Sequence, residues 1–191
     1  MFKALVFLYR DGTIINGVDL LHKREDIKLL QNSVEAIKLL NKHNFAVVIV
    51  TNQPVVARNL CNEETVVKLN QYLVDLLKKK GARIDAVYYC PHHPEQGHPE
   101  ANNPVYRRKC HCRKPEIGML VSASKDLNLS LLGSFLIGDT TVDIQTAKNA
   151  KISSILVKTG YAGRDKKYKV KPDYVCNDLL DAAKIISEVE L

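Results

Sequence analysis

The stretch Phe2-Lys3-Ala4-Leu5-Val6-Phe7-Leu8-Tyr9, closed by Arg10-Asp11-Gly12-Thr13, decides the fold. A short apolar run that stops at an Asp-Gly turn reads as a buried strand with polar residues at its carboxyl end. The same plan recurs along the chain. Phe45 to Val50 ends in Thr51-Asn52-Gln53, Ile84 to Tyr89 runs into Cys90, Ser134 to Ile137 ends in Gly138-Asp139, and Ile152 to Val157 precedes Thr159-Gly160. Helical patterns lie between these runs: one capped by Ser33 with Val34, Ile37, Leu39 and Leu40 on a face, and one from Asn62-Glu63-Glu64 to about Lys80, stopped by Gly81. Pro115 is expected to open another through about Leu127, Val142 to Asn149 a fourth, and Tyr174-Val175 an edge strand before a helix capped by Asn177. Strand and helix in alternation predict an α/β fold, a doubly wound and mostly parallel sheet with helices on both faces. Ligands bind such sheets at the carboxyl ends of the strands.

Working outward, 191 residues with 46% hydrophobic and 26% charged side chains suit one domain, 1–191, with an insertion at about 90–114. No run approaches the ~18 apolar residues that cross a bilayer, and the chain enters a strand directly, so a cytoplasmic protein without a membrane is the expectation, with a monomer the default for so compact a domain. The net charge of +7 favours acidic partners. The lysines are spread over helix faces instead of forming a block, which argues for small anions and against nucleic acid. Lys166, Lys167 and Lys169 either line the entrance to the site or are solvated, and solvation is the preferred reading.

Three strands deliver polar clusters to one rim: Tyr9-Arg10-Asp11-Gly12-Thr13, Thr51-Asn52-Gln53 and Gly138-Asp139-Thr140-Thr141-Val142-Asp143. A phosphoryl group needs hydroxyl and amide donors, a cation for its spreading charge and carboxylates that hold Mg²⁺. Thr51 and Asn52 supply donors, Lys114 a cation and Asp139 a carboxylate.

Five cysteines in a chain without a secretory signal point to a metal before disulfides. Cys90, Cys110 and Cys112 with one imidazole form a soft tetrahedral set for structural Zn²⁺, and His92, His93, His98 and His111 all offer that imidazole. Such a site would hold a long insertion that lacks periodicity. Cys61 and Cys176 read as small apolar fillers.

In motif order the chain resembles the haloacid dehalogenase superfamily. More closely it is similar to the small histidinol-phosphate and D-glycero-D-manno-heptose 1,7-bisphosphate phosphatases, through Phe7-Leu8-Tyr9-Arg10-Asp11-Gly12-Thr13-Ile14, Val50-Thr51-Asn52-Gln53, Tyr88-Tyr89-Cys90-Pro91-His92-His93 and Cys110-His111-Cys112-Arg113-Lys114-Pro115. The resemblance implies a phosphatase for small phosphorylated sugars or alcohols, with a small zinc-bound loop instead of a full cap domain. It implies that Thr51 holds phosphoryl oxygens, Lys114 stabilises charge, Arg113 recognises substrate with Asn52, Gln53 and Arg58, and Asp11 is general acid and base. By the same resemblance Asp139 and the Asp11 carbonyl hold Mg²⁺, and Cys90, His92, Cys110 and Cys112 hold Zn²⁺.

Two departures stand out. Tyr9 occupies the place of the family's nucleophilic aspartate, and a phenol titrating near ~10 is neither an anion at neutral pH nor a good Mg²⁺ ligand. Turnover is therefore expected to be impaired and Mg²⁺ weakened or lost, which leaves a catalytically inactive phosphosugar-binding or regulatory subunit as the alternative. Attack by Asp11 instead would set the carboxylate ~6.5 Å further along the strand. Gln53-Pro54-Val55-Val56-Ala57-Arg58-Asn59 also replaces the family's usual Gln-Ser-Gly-Ile-Ala-Arg-Gly, removing an amide donor at Pro54.

Overall fold

The computed structural model describes residues 2–94 and 103–189. Six strands form one sheet: β1 (Leu5–Leu8), β2 (Ala46–Asn52), β3 (Ala86–Cys90), β4 (Phe135–Gly138), β5 (Ser153–Val157) and β6 (Tyr174–Cys176). Their spatial order is β3-β2-β1-β4-β5-β6, and every pairing is parallel, as the apolar runs predict. Among the described residues, α1 (Ser33–Lys42), α2 (Glu63–Lys79), α3 (Gly118–Asp126) and α4 (Thr141–Ala150) connect β1 through β5, and α5 (Leu179–Glu188) follows β6.

Alternation along the strands divides the core in two. Val6, Leu8, Val47 and Ile49 pack with Ile37 and Leu40 of α1, Leu69 and Leu73 of α2 and Ala183 of α5. Leu5, Phe7, Val48 and Val50 face the other way, onto Met119, Leu120 and Ala123 of α3 and Ala147 of α4. Helices therefore cover both faces. The first crossovers build outward from β1 to β3, and the chain then returns to place β4 on the other side of β1. That reversal opens a crevice at the carboxyl ends of β1 and β4, where Tyr9 and Asp139 emerge.

Several boundaries differ from the sequence expectation. α1 is preceded by Asn32, with a left-handed φ of 65°, and Ser33 instead donates to the Leu30 carbonyl. Asp178 caps α5 by accepting from Asp181 N–H, so the expected cap at Asn177 shifts by one residue. α3 starts at Gly118, not Pro115, and the Gly118 N–H donates to the His111 carbonyl at 2.8 Å. Asn62 caps α2 as expected, accepting from Thr65 N–H at 2.9 Å. Among the described residues, no helix is long and apolar enough to cross a membrane.

Candidate active site and metal centre

Tyr9 continues β1, its N–H donating to the Ile137 carbonyl at 2.9 Å, so strand geometry sets its ring at the mouth of the crevice. The ring lies under the Lys114 ammonium, which stands 3.6 Å from the ring centroid. Lys114 also donates to Asp143, and both side chains are almost wholly buried. Asp143 belongs in turn to the capping box of α4 with Thr140. The β4–α4 turn thus fixes the lysine through a carboxylate 29 residues away. Asp143 closes the third rim motif, and the sequence gives no signal for its pairing with Lys114.

Asn52, at the end of β2, clamps the Lys114 backbone: its Oδ1 accepts from Lys114 N–H at 3.0 Å and its Nδ2 donates to the Lys114 carbonyl at 3.2 Å. The side chain expected to touch substrate is committed to holding Lys114. Thr51 is buried, and its Oγ1 accepts from Gln53 Nε2 at 2.9 Å, leaving its hydroxyl hydrogen available. Gln53 also donates to Asp11 Oδ2 at 3.2 Å. The remaining Asp11 lone pairs face Arg10, whose Nε and Nη2 lie 3.1–3.2 Å from the carboxylate and whose Nη1 reaches Asn70. Asp11 is thereby enclosed by donors, a network invisible in the sequence because it joins β1, β2 and α2.

Asp139 is buried beneath the crevice. Its Oδ2 accepts from Tyr161 N–H at 2.7 Å, while Oδ1 has no partner. Burial first, and the Asp143 carboxylate second, push the Asp139 carboxyl up to about 7. Glycine is required around it. A Cβ at Gly12 or at Gly160 would run into this carboxylate, and both residues have positive φ, 76° and 59°. Burial, reinforced by the carboxylates of Asp11, Asp143 and Asp139, pushes the Tyr9 phenol well above its ordinary value, so it is neutral at any physiological pH.

The crevice encloses about 380 Å³ and is lined by Tyr9, Asn52, Arg113, Lys114, Tyr161 and Lys167, among others. Lys167, expected to be merely solvated, lines its entrance. Arg113 is anchored by donation to the His92 carbonyl at 2.8 Å. Tyr161 closes one side, its phenol donating to Asp19. Arg58 is directed toward the insertion, its Nη2 3.5 Å from His93 Nε2. Val55 and Val56 form a small cluster with Val66, onto which Cys61 packs, while Cys176 lies in the main core. Asn59 takes a left-handed φ of 55° where the related pattern has glycine.

At the end of β3, Cys90, His92, Cys110 and Cys112 bring their four donor atoms within 4.8 Å of one another. The sulfurs are 3.1–3.5 Å apart, and His92 Nδ1 lies 3.6 Å from Cys90 and 3.4 Å from Cys112. A tetrahedron around Zn²⁺ with its usual bond lengths has edges of roughly 3.5–3.8 Å, so the donor set fits that ion. The hydrogen bond from Cys90, with others from Cys110 and His92, pushes the Cys112 thiol down to about 5. Among the candidate imidazoles the structure brings in His92; His93 faces Arg58, His111 is exposed, and His98 lies outside the described residues. Glu63 at the start of α2 accepts from the phenols of Tyr89 and Tyr106, at 2.7 and 2.8 Å, which ties the insertion to the sheet.

The Mg²⁺ reading fares differently. Mg²⁺ demands near-octahedral oxygen coordination, and the fixed carboxylate that the related pattern supplies at position 9 is here a neutral phenol. Among the described residues the Asp11 and Asp143 carboxylates are occupied by Arg10 and Lys114, which leaves the buried Asp139 Oδ1 and the Asp11 backbone carbonyl as the oxygens for such an ion. The residues present do not fit a tightly held Mg²⁺.

A family model described as HAD-hydrolase-like matches residues 111–182. The D-glycero-beta-D-manno-heptose-1,7-bisphosphate 7-phosphatase of Photorhabdus laumondii is 36% identical over 97% of this chain and 96% of its own length. The phosphatase of that name from Escherichia coli strain K12 is 34% identical over 96% of this chain and 93% of its own. Among solved structures, D,D-heptose 1,7-bisphosphate phosphatase from B. bronchiseptica, complexed with magnesium and phosphate, superposes with a TM-score of 0.82. It is 29% identical, covering 96% of this chain and 98% of that one.

Proposed function

Because the chain belongs to the haloacid dehalogenase-like family of heptose-1,7-bisphosphate 7-phosphatases, we propose that it recognises a small phosphorylated sugar at this crevice and is impaired in hydrolysing it. The observation that carries the reading is the Lys114 ammonium held over the Tyr9 ring. What supports the reading is that a lysine ammonium lines the crevice beside an aromatic ring at the position where the related pattern has the attacking carboxylate.

In the proposed roles, Lys114 and Arg113 meet the charge of the phosphoryl group, and the Thr51 hydroxyl donates to one of its oxygens. Asn52 and Asp143 position Lys114 from either side. Gln53 and Arg10 hold Asp11, which as a carboxylate would have to take up a proton from solvent before it could pass one to the leaving alcohol. The missing part is the nucleophile. A neutral phenol attacks phosphorus poorly, and transfer to it would require its proton to leave into a pocket where Asp11, Asp139 and Asp143 all disfavour the phenolate. Cys90, His92, Cys110 and Cys112 would hold structural Zn²⁺, which would fix the approach of Arg113 and Lys114 immediately after Cys112.

A second reading, an inactive phosphosugar-binding or regulatory subunit, is favoured by Asp11, whose carboxylate oxygens are both engaged by donors. One experiment addresses both: calorimetric titration with heptose 1,7-bisphosphate, together with phosphate release from the same sample. Saturable binding with slow release supports impairment, and binding without release the inactive subunit. Release at ordinary enzymatic rates of ~1 s⁻¹ or more, or absence of binding, overturns the proposal.

A further inference from the structure

We propose that this crevice binds its phosphate without a divalent metal, so that anion recognition here is uncoupled from Mg²⁺. The inference rests on the phosphosugar reading above and concerns how that site meets charge.

A phosphate next to an unpaired carboxylate needs a cation between them. In this crevice that need has been reduced residue by residue. Position 9 carries an uncharged ring in place of a carboxylate, and burial together with the surrounding carboxylates keeps the phenol protonated. The Asp11 carboxylate is neutralised by Arg10, at 3.1 Å, and that of Asp143 by Lys114. Asp165 is turned away, accepting from the N–H and hydroxyl of Thr141 at 2.7 and 2.6 Å, and Asp19 accepts from the Tyr161 phenol. Among the buried carboxylates of the described residues, that of Asp139 keeps one unpartnered oxygen, behind Tyr161 N–H, while Asp19 is exposed to solvent at the rim.

The cations are arranged the other way, toward the opening. Arg113, Lys114 and Lys167 all line the crevice, and the Tyr9 ring supports the Lys114 ammonium from beneath without competing for its remaining protons as a carboxylate would. The cation–π contact leaves the donor hydrogens of Lys114 that Asp143 does not take available to an incoming anion. Tyr9 therefore substitutes for two partners of the anion site at once: it removes the negative charge that a metal would offset, and it holds the lysine.

The test is calorimetric titration of heptose 1,7-bisphosphate and of inorganic phosphate, in resin-treated buffer and again with about 5 mM MgCl₂, the zinc content being verified before each run. The expected result is a dissociation constant that changes by less than about threefold on adding Mg²⁺. Tyr9→Phe, which retains the ring, should behave in the same way, whereas Tyr9→Asp should lose about tenfold or more in affinity without Mg²⁺ and regain it with the metal. Titration with Mn²⁺ alone should show saturable binding only in Tyr9→Asp. Binding by the native chain that requires Mg²⁺ overturns this inference and leaves the phosphosugar reading intact; no binding under either condition overturns both. Should Tyr9→Asp fail to fold, the native chain and Tyr9→Phe still decide.

Discussion

The ammonium of Lys114 lies 3.6 Å from the centroid of the Tyr9 ring while donating to the buried carboxylate of Asp143. A lysine expected to serve substrate is thus satisfied on two sides by the protein, and neither partner is dispensable. Removing Lys114 leaves Asp143 charged, without exposure and without its counter-ion. Lys114→Met is therefore expected to cost about 3–5 kcal/mol in urea denaturation, the usual penalty for an orphaned buried charge. Lys114→Met combined with Asp143→Asn should cost less than the sum of the two single changes, and strict additivity would show that the pair is not coupled.

Asp139 supplies the pH dependence. In the fold its carboxyl is pushed up to about 7, against an ordinary value near ~3.9 in the unfolded chain. Between these values the folded chain keeps a proton that the unfolded chain has shed, so stability falls as pH rises through that window. The separation sets a ceiling of roughly 4 kcal/mol, reduced by partial solvent access. Asp139→Asn keeps the acceptor for Tyr161 N–H and removes the charge. In buffer free of added Mg²⁺ it should stabilise the protein by about 1–3 kcal/mol at pH 8 and leave it nearly unchanged at pH 4.5. Equal effects at both pH values would contradict this account.

The cysteine–histidine cluster predicts one zinc per chain in elemental analysis. Cys112→Ser should abolish stoichiometric zinc, lower Tm by about 5–10 °C, and open the insertion to limited proteolysis, because metal binding is coupled to the folding of the segment that holds it. Full zinc occupancy in Cys112→Ser would exclude that residue as a ligand.

The sheet was legible because each central strand is an apolar run too short for a helix that ends on a polar cluster, and β1, β2 and β4 follow that rule. The caps were less legible. Ser33 and Asn177 have the right chemistry, but first-turn N–H groups are served by whichever side chain the incoming backbone presents, here Asp178 for α5. Pro115 has the residue type that opens helices, yet α3 begins three residues later, at Gly118, whose N–H is drawn to the His111 carbonyl by a contact that leaves no local pattern. The rim motifs named the strand ends that meet, without showing which side chains pair. The clamp of Asn52 on Lys114, the enclosure of Asp11 by Arg10 and Gln53, and the pairing of Lys114 with Asp143 are long-range contacts that leave no local pattern.

Tyr9 remains the residue on which the functional account turns, and its replacement by aspartate gives the most direct measurement. Phosphate release from heptose 1,7-bisphosphate in the presence of Mg²⁺ should be at least about 100-fold faster for Tyr9→Asp than for the native chain, a difference of ~2.7 kcal/mol in transition-state stabilisation. Equal rates, with the variant folded and the substrate bound, would contradict the claim that Tyr9 limits the attack step.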